Sequence, residues 1–247
     1  MEGQKSSAGL IAAVIVLVVF IICLLGYIGY DKLVVKTGNN EPEQTETKKL
    51  KESDVSEFLK RIYSMNSAIC TSYPFTDINT IPTQKILSIG LGEVFGTYSI
   101  SSDYVENHIK YILGSNVIIK HEDYLCKVDN IPFYKYNNGY YSFNQEHPGH
   151  GGGGGYLVTT FFKDASIKGN TVTINTNLIY EVSSDISGPT TSYYDGASTN
   201  AKKILDDIER TSLKSEYEKI KDTLPITTFT FTRSELGGFD LTSVTVK

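Results

Sequence analysis

The chain has 247 residues, with 23 Lys and Arg against 28 Asp and Glu and a formal net charge of −5. That balance lacks the basic excess that phosphate recognition draws on, so nucleic acid is not an expected partner. Hydrophobic residues make up 40% of the chain, enough for a core, yet they are unevenly spread, with a dense block before Asp31.

Residues 1–5 read as a short tail carrying Lys5. Residues 6–30 contain no charged side chain, and "LIAAVIVLVVFIICLLGYIGY" supplies the roughly 20 apolar residues that a helix needs to cross about 30 Å of hydrocarbon. A membrane-spanning anchor is expected there. No A-x-A-like cleavage signal stands before Asp31, which predicts that the anchor is retained. Cys23 follows "FII" rather than the small residues that precede a lipid-bearing cysteine, and it reads as a small apolar residue. Lys32 and Lys36 outnumber Lys5 across the span, and taken alone that count favours a domain on the inside. Long domains translocate largely regardless of charge, and a short tail ahead of a span is the layout of a signal anchor. The expected location is therefore the cell membrane, with a single pass and the domain extracytoplasmic; a reversed anchor with an intracellular domain is the alternative.

The junction "GYIGYDKLV" and the polar stretch after it resemble those of uncharacterised single-span surface proteins of AT-rich Gram-positive and mollicute-like bacteria. The resemblance covers the anchor and its flank, implies a place in the bacterial cell envelope, and implies no activity. Residues 31–52 read as a polar linker, because "KTGNNEPEQTETKKLKE" holds one proline and a single apolar residue, Leu50, too little to seed a core. The folded domain is expected over 53–247.

Within it, "SDVSEFLKRIYSM" places Val55, Phe58, Leu59, Ile62 and Met65 at helical spacing. "TQKILSIGLGEVFG" fits a strand or a short helix; its glycines depart from the dinucleotide fingerprint, since the last falls one position late and no βαβ unit follows. "SSDYVENHIKYILG" predicts a second helix, capped by Ser102 or Asp103 and left at Gly114. From Ile131 the period changes to two. "IPFYKY" and "YYSF" form a hairpin around Asn137-Asn138-Gly139. "YLVTTFFKDASI" and "TVTINTNLIYEV" form another around Lys168-Gly169-Asn170, the second strand putting Val172, Ile174, Leu178, Tyr180 and Val182 on a buried face and polar residues on a wet one.

"SSDISGPTTSYYDGASTN" reads as a loop, and "AKKILDDIERTSLKSEYEKIKDTL" as helix with a break near Thr211, ended by Pro225. "ITTFTFT" and "FDLTSVTVK" close the chain as strands joined at Gly237-Gly238, with a bulge near Thr242 where the apolar parity shifts between Leu241 and Val244. This order predicts an α+β fold: an N-terminal transmembrane helix, then helices packed on one face of a curved, mainly antiparallel sheet of about six strands. The element order is similar to that of nuclear-transport-factor-2-like or cystatin-like domains, architectures that host enzymes and binding modules alike.

Chemistry concentrates in "NQEHPGHGGGGGYLV", where Glu146, His147 and His150 offer the donors that zinc prefers. Pro148 and Gly149 rule out a helical H-E-x-x-H arrangement, and no third ligand is marked elsewhere. The glycine run after them leads into a strand rather than a helix, so it makes no phosphate cradle. A solvated loop without a cofactor is the expectation. Cys70 and Cys126 form either a disulfide, which an extracytoplasmic domain permits and which stabilises by roughly 4 kcal/mol in the chain-entropy model, or two buried thiols. No G-x-S-x-G elbow or Cys-His pairing is visible. Among the 17 tyrosines, Tyr134, Tyr136, Tyr140, Tyr141, Tyr193 and Tyr194 either line a binding surface or fill half-buried strands. The expected function is a non-enzymatic binding or scaffolding module for an envelope protein, peptide or glycan. The alternative is an envelope enzyme, a metal-dependent hydrolase using the His147 and His150 loop.

Overall fold

A computed structural model describes residues 46–67, 74–92, 98–126, 129–147, 156–182, 190–196 and 200–247. The anchor expected over 6–30 lies outside them; among the described residues, no helix is long and apolar enough to cross a membrane. Thr45–Lys247 packs as one compact unit.

In chain order the described elements are β1 (Lys48–Leu50), α1 (Ser56–Ser67), α2 (Thr83–Gly92), β2 (Ser99–Ser101), α3 (Ser102–Leu113), β3 (Tyr124–Leu125), β4 (Pro132–Asn137), β5 (Tyr140–Phe143), β6 (Tyr156–Lys168), β7 (Thr171–Val182), β8 (Thr190–Tyr194), β9 (Lys203–Glu209), α4 (Leu213–Ile220), β10 (Thr227–Arg233) and β11 (Phe239–Val246). The class is α+β with antiparallel pairing throughout. The expected single sheet is in fact two. One is seven-stranded, in the order β1-β6-β7-β10-β11 with β8 and β9 branching from β7; the other is four-stranded, in the order β2-β5-β4-β3.

The hydrophobic pattern explains the main layer. Val55, in the 3-10 turn that leads into α1, and Leu59, Ile62 and Met65 of α1 are buried together with Leu87 of α2, Val105, Ile109 and Ile112 of α3, Val172, Ile174, Phe229 and Phe231 of the large sheet, and Tyr134 and Tyr141 of the small one. The three helices thus share a core with both sheets. Ser101 caps α3 by accepting from the Tyr104 amide, one residue earlier than expected, and Gly114 ends the helix as predicted. Arg61 ties the layers together: its Nε donates to the Ile112 carbonyl at 2.9 Å, its Nη1 donates to the Phe239 carbonyl at 2.8 Å, and its guanidinium lies 4.8 Å from the Phe231 ring centroid.

Three further expectations need correction. The stretch read as linker up to residue 52 contains β1, whose Leu50 lies opposite Ala165 and packs against the core. The stretch read as helix from Ala201 begins as β9, paired with β8 in what composition marks as loop, and its helical part is confined to the 3-10 turn Arg210–Ser212 and α4. The wet face of β7 is covered along its later half. Asn177, Ile179 and Glu181 are buried as well as Thr176, Leu178 and Tyr180. Alternate residues of a strand face opposite sides, so helices stand on both faces of this sheet: α4 covers the second face, with Tyr217 stacked on Phe161 at 3.8 Å between ring centroids. The bulge near Thr242 is present, since Thr230 pairs Ser243 while Phe231 pairs Leu241.

Candidate metal centre

The β4–β5 hairpin turns at Asn138 (φ 48°) and Gly139 (φ 81°), both left-handed, as a two-residue turn between twisted strands requires. A hairpin brings together the residues that precede its first strand and those that follow its second. Here these are Cys126 and Asp129 to Ile131 on one side and Asn144 to His147 on the other.

The first side is held by backbone hydrogen bonds between Cys126 and residues 130 and 131. The Cys126 amide donates to the Ile131 carbonyl at 2.9 Å, the Asn130 amide donates to the Cys126 carbonyl at 3.0 Å, and Asn130 takes φ 60°. The Ile131 amide donates to Asp129 Oδ1 at 2.9 Å, an Asx-turn contact that fixes the carboxylate and leaves its other oxygen for a second partner. On the second side, the Asn144 amide donates to the Phe133 carbonyl, the Asn144 side chain donates to the Pro132 carbonyl, and the His147 amide donates to the Asn144 carbonyl at 3.0 Å. The His147 ring stacks on Phe133, with centroids 4.1 Å apart.

These local constraints converge. His147 Nε2 lies 3.6 Å from Asp129 Oδ2, and the donor atoms of Cys126, Asp129 and His147 all fall within 4.8 Å of one another. The His147 side chain is 1% exposed, that of Asp129 is 21% exposed, and Cys126 is 2% exposed. A thiol, an imidazole and a carboxylate are the three ligand types that a tetrahedral zinc site draws on.

Of the two described residues marked in the sequence as metal ligands, Glu146 and His147, His147 joins this group. Glu146 points to solvent, 88% exposed, with Lys135 at 3.5 Å. His150 and Cys70 lie outside the described residues. Cys126 is a buried thiol rather than a surface one. Sequence reasoning missed Cys126 and Asp129 as neighbours of His147. The available signal was the hairpin itself, which brings Cys126 and Asp129 next to the residues that follow "YYSF".

A second polar constellation pins the segment between α3 and β3. His121 Nδ1 lies 2.8 Å from the Tyr141 hydroxyl and its Nε2 lies 2.9 Å from Glu106 Oε1, while its ring stacks on Tyr136 at 5.0 Å. An ionised carboxylate only accepts, so in the neutral ring Nε2–H donates to Glu106 and Nδ1 accepts from Tyr141. Burial pushes the Tyr141 phenol well above its ordinary range, reinforced by Tyr136 and the carboxylates of Glu122 and Glu106. Hydrogen bonds from Lys110 and then His121 hold the Glu106 carboxyl below its ordinary value. Gln84 closes the same segment by donating to Glu122 and to the Asp123 carbonyl and accepting from the Leu125 amide.

Tyr141 is fully buried, as are Tyr134 and, to 1%, Tyr193, whereas Tyr140 is 54% exposed. Half of the clustered tyrosines therefore fill the interior of strands rather than a surface. Comparison with protein-family models, with curated proteins and with solved structures finds no match to this chain.

Proposed function

We propose that the chain is a single-span, membrane-anchored protein whose domain stands outside the cytoplasm and serves as a non-enzymatic binding or scaffolding module at the cell envelope. The observation that carries this reading is the charge-free segment 6–30, long enough for the hydrocarbon core, joined by polar residues to a unit from Thr45 onward that packs on its own. The placement of the titratable groups supports the non-enzymatic part. Tyr141 is enclosed by the core, the Cys126 and His147 donors are buried, and the concavity lined by Pro74, Phe75, Thr76, Thr80 and residues 244–246 holds no ionisable side chain.

Single cysteines placed in residues 38–44 and probed in intact cells with a membrane-impermeant maleimide test the topology. Labelling without lysis supports an extracytoplasmic domain; protection until the membrane is opened overturns it. A metal-dependent hydrolase is the competing reading, favoured by the convergence of Cys126, Asp129 and His147. A catalytic metal must present an open position to water and substrate, and burial of His147 counts against that. Hydrolytic turnover by the purified chain that His147→Gln abolishes would bring the enzyme reading back.

A further inference from the structure

We propose that Cys126, Asp129 and His147 form a structural site for a zinc-type divalent cation, which clips the turn before β4 to the residues after β5. It is independent of the membrane topology.

Ligand bonds of about 2.0–2.3 Å in tetrahedral geometry put donors roughly 3.3–3.8 Å apart. The separation of 3.6 Å between His147 Nε2 and Asp129 Oδ2 already has that value. With all three donors inside 4.8 Å, the sulfur needs to close by no more than about 1.3 Å. The supporting hydrogen bonds also match what a metal site requires. Asp129 Oδ1 is held by the Ile131 amide, which aims Oδ2 at the histidine; stacking on Phe133 fixes the His147 ring. Outer contacts of this kind orient the side chains that bind a metal.

The charge balance favours a dication. Binding forms bonds from the metal to sulfur, nitrogen and oxygen; it releases the thiol proton of Cys126 to solvent and takes the imidazole in its neutral form, with no change of oxidation state. The thiolate and the Asp129 carboxylate then neutralise the two positive charges. Among the described residues three protein donors converge. The burial of Cys126 and of the His147 side chain keeps substrate from the ion and makes the site a clip rather than a reaction centre, and soft thiolate with imidazole selects zinc over calcium or magnesium.

A disulfide between Cys126 and Cys70 competes for the same sulfur, which makes the proposal sharply testable. The full-length chain, purified in detergent, reduced and stripped of metal, is titrated with Co²⁺ and then with Zn²⁺. The expected result is one Co²⁺ per chain with a thiolate-to-cobalt charge-transfer absorption, displaced by an equal amount of Zn²⁺. Cys126→Ser abolishes that absorption. Asp129→Asn keeps an oxygen acceptor for the Ile131 amide; it and His147→Gln retain the absorption but bind at least about tenfold more weakly, since losing even a group that only hydrogen-bonds a ligand brings that much. Asp129→Asn keeps the test decisive if Cys126→Ser does not fold. No charge-transfer absorption, an absorption that survives Cys126→Ser in a folded chain, or undiminished affinity in both other variants overturns the site. So does a Cys70–Cys126 disulfide in material isolated unreduced from its own cells. Because the readout is spectroscopic and made in detergent, it fails or succeeds separately from the labelling that tests the topology.

Discussion

Gly114 sits directly against Asp240: a Cβ added to the glycine would stand 2.1 Å from the Asp240 Oδ1 and 2.5 Å from its Cα. The glycine has φ 107° and ψ 175°, a region open essentially to glycine alone. That conformation turns the chain out of α3 so that the Ser115 amide donates to Asp240 Oδ1 at 2.7 Å and the Asn116 side chain donates to Oδ2. Gly114→Ala combines backbone strain with a clash against β11 and is expected to destabilise by about 3 kcal/mol or more. Urea unfolding checks it: the midpoint should fall while the slope stays near wild type, and a loss below about 0.5 kcal/mol, the range of a neutral surface change, contradicts the packing described.

Gly90 makes the α2–α3 crossing in the same way. Its added Cβ would lie 2.6 Å from Val105 Cγ1 and 3.0 Å from two Ile109 carbons. Valine in a helix keeps essentially one rotamer, so it cannot swing aside. Gly90→Ala gains roughly 1 kcal/mol of helix propensity but meets about 1–3 kcal/mol of overpacking, and a net loss is expected. In a Val105→Ala background the same change should become neutral or stabilising, because the new methyl enters the space vacated. A double-mutant cycle measures the coupling; additive effects would refute the contact.

These two glycines show what the sequence makes legible. The exit from α3 at Gly114, both hairpin turns and the bulge at Thr242 were readable, because turn chemistry and strand parity act over a few neighbouring residues. Gly90 stands in a glycine run that departs from the nucleotide fingerprint, and its role in packing becomes visible only with its helical partner, Val105 of α3. Residues Ile204, Leu205 and Ile208 satisfy helical spacing, yet the segment pairs with β8 and Asp207 adopts φ 53°, so long-range pairing overrides local pattern. The four-stranded sheet escaped notice because β2 and β3 have three and two residues, too short to show a period. The Cys126, Asp129 and His147 group was hidden for a related reason: its members meet only through the register of the β4–β5 hairpin, in which Tyr134 pairs Phe143.

Asn177 is fully buried on the β7 face beneath α4. Its amide nitrogen donates to the Pro225 carbonyl at 2.8 Å and its Oδ1 accepts from the Tyr217 hydroxyl at 3.0 Å. Asn177→Leu strands the hydroxyl and the carbonyl and should destabilise by about 1–3 kcal/mol; Tyr217→Phe, which leaves one acceptor without its donor, by about 1 kcal/mol. Asn177→Asp should be the worst of the three, since a carboxylate would face the Pro225 and Leu224 carbonyls with nothing to donate. Thermal unfolding of the three variants checks the ranking, and an Asn177→Asp variant as stable as wild type is incompatible with the hydrogen bonds assigned.

Acid should unlock the segment between α3 and β3. Glu106 is held below its ordinary range by Lys110 and then His121, and Glu122 by Gln84 and then Lys120. A carboxyl with a depressed folded-state pKa stabilises the fold above its unfolded value, about 4.3, and that contribution is lost as pH falls through the lower folded value. Both groups are about a third exposed, so solvent screening keeps the effect small. The groups facing Glu106 are Lys110 one turn along α3 and the His121 ring, itself backed by Tyr141. Unfolding temperatures measured from about pH 6 to about pH 2 should therefore fall less steeply below the unfolded value in Glu106→Gln than in wild type, the two curves running parallel above it. Amide exchange at residues 117–125 should report the same loss locally, because His121 is tethered by the interaction that protonation weakens. Parallel curves across the whole range, with unchanged exchange in that segment, would mean that Glu106 contributes nothing to holding His121.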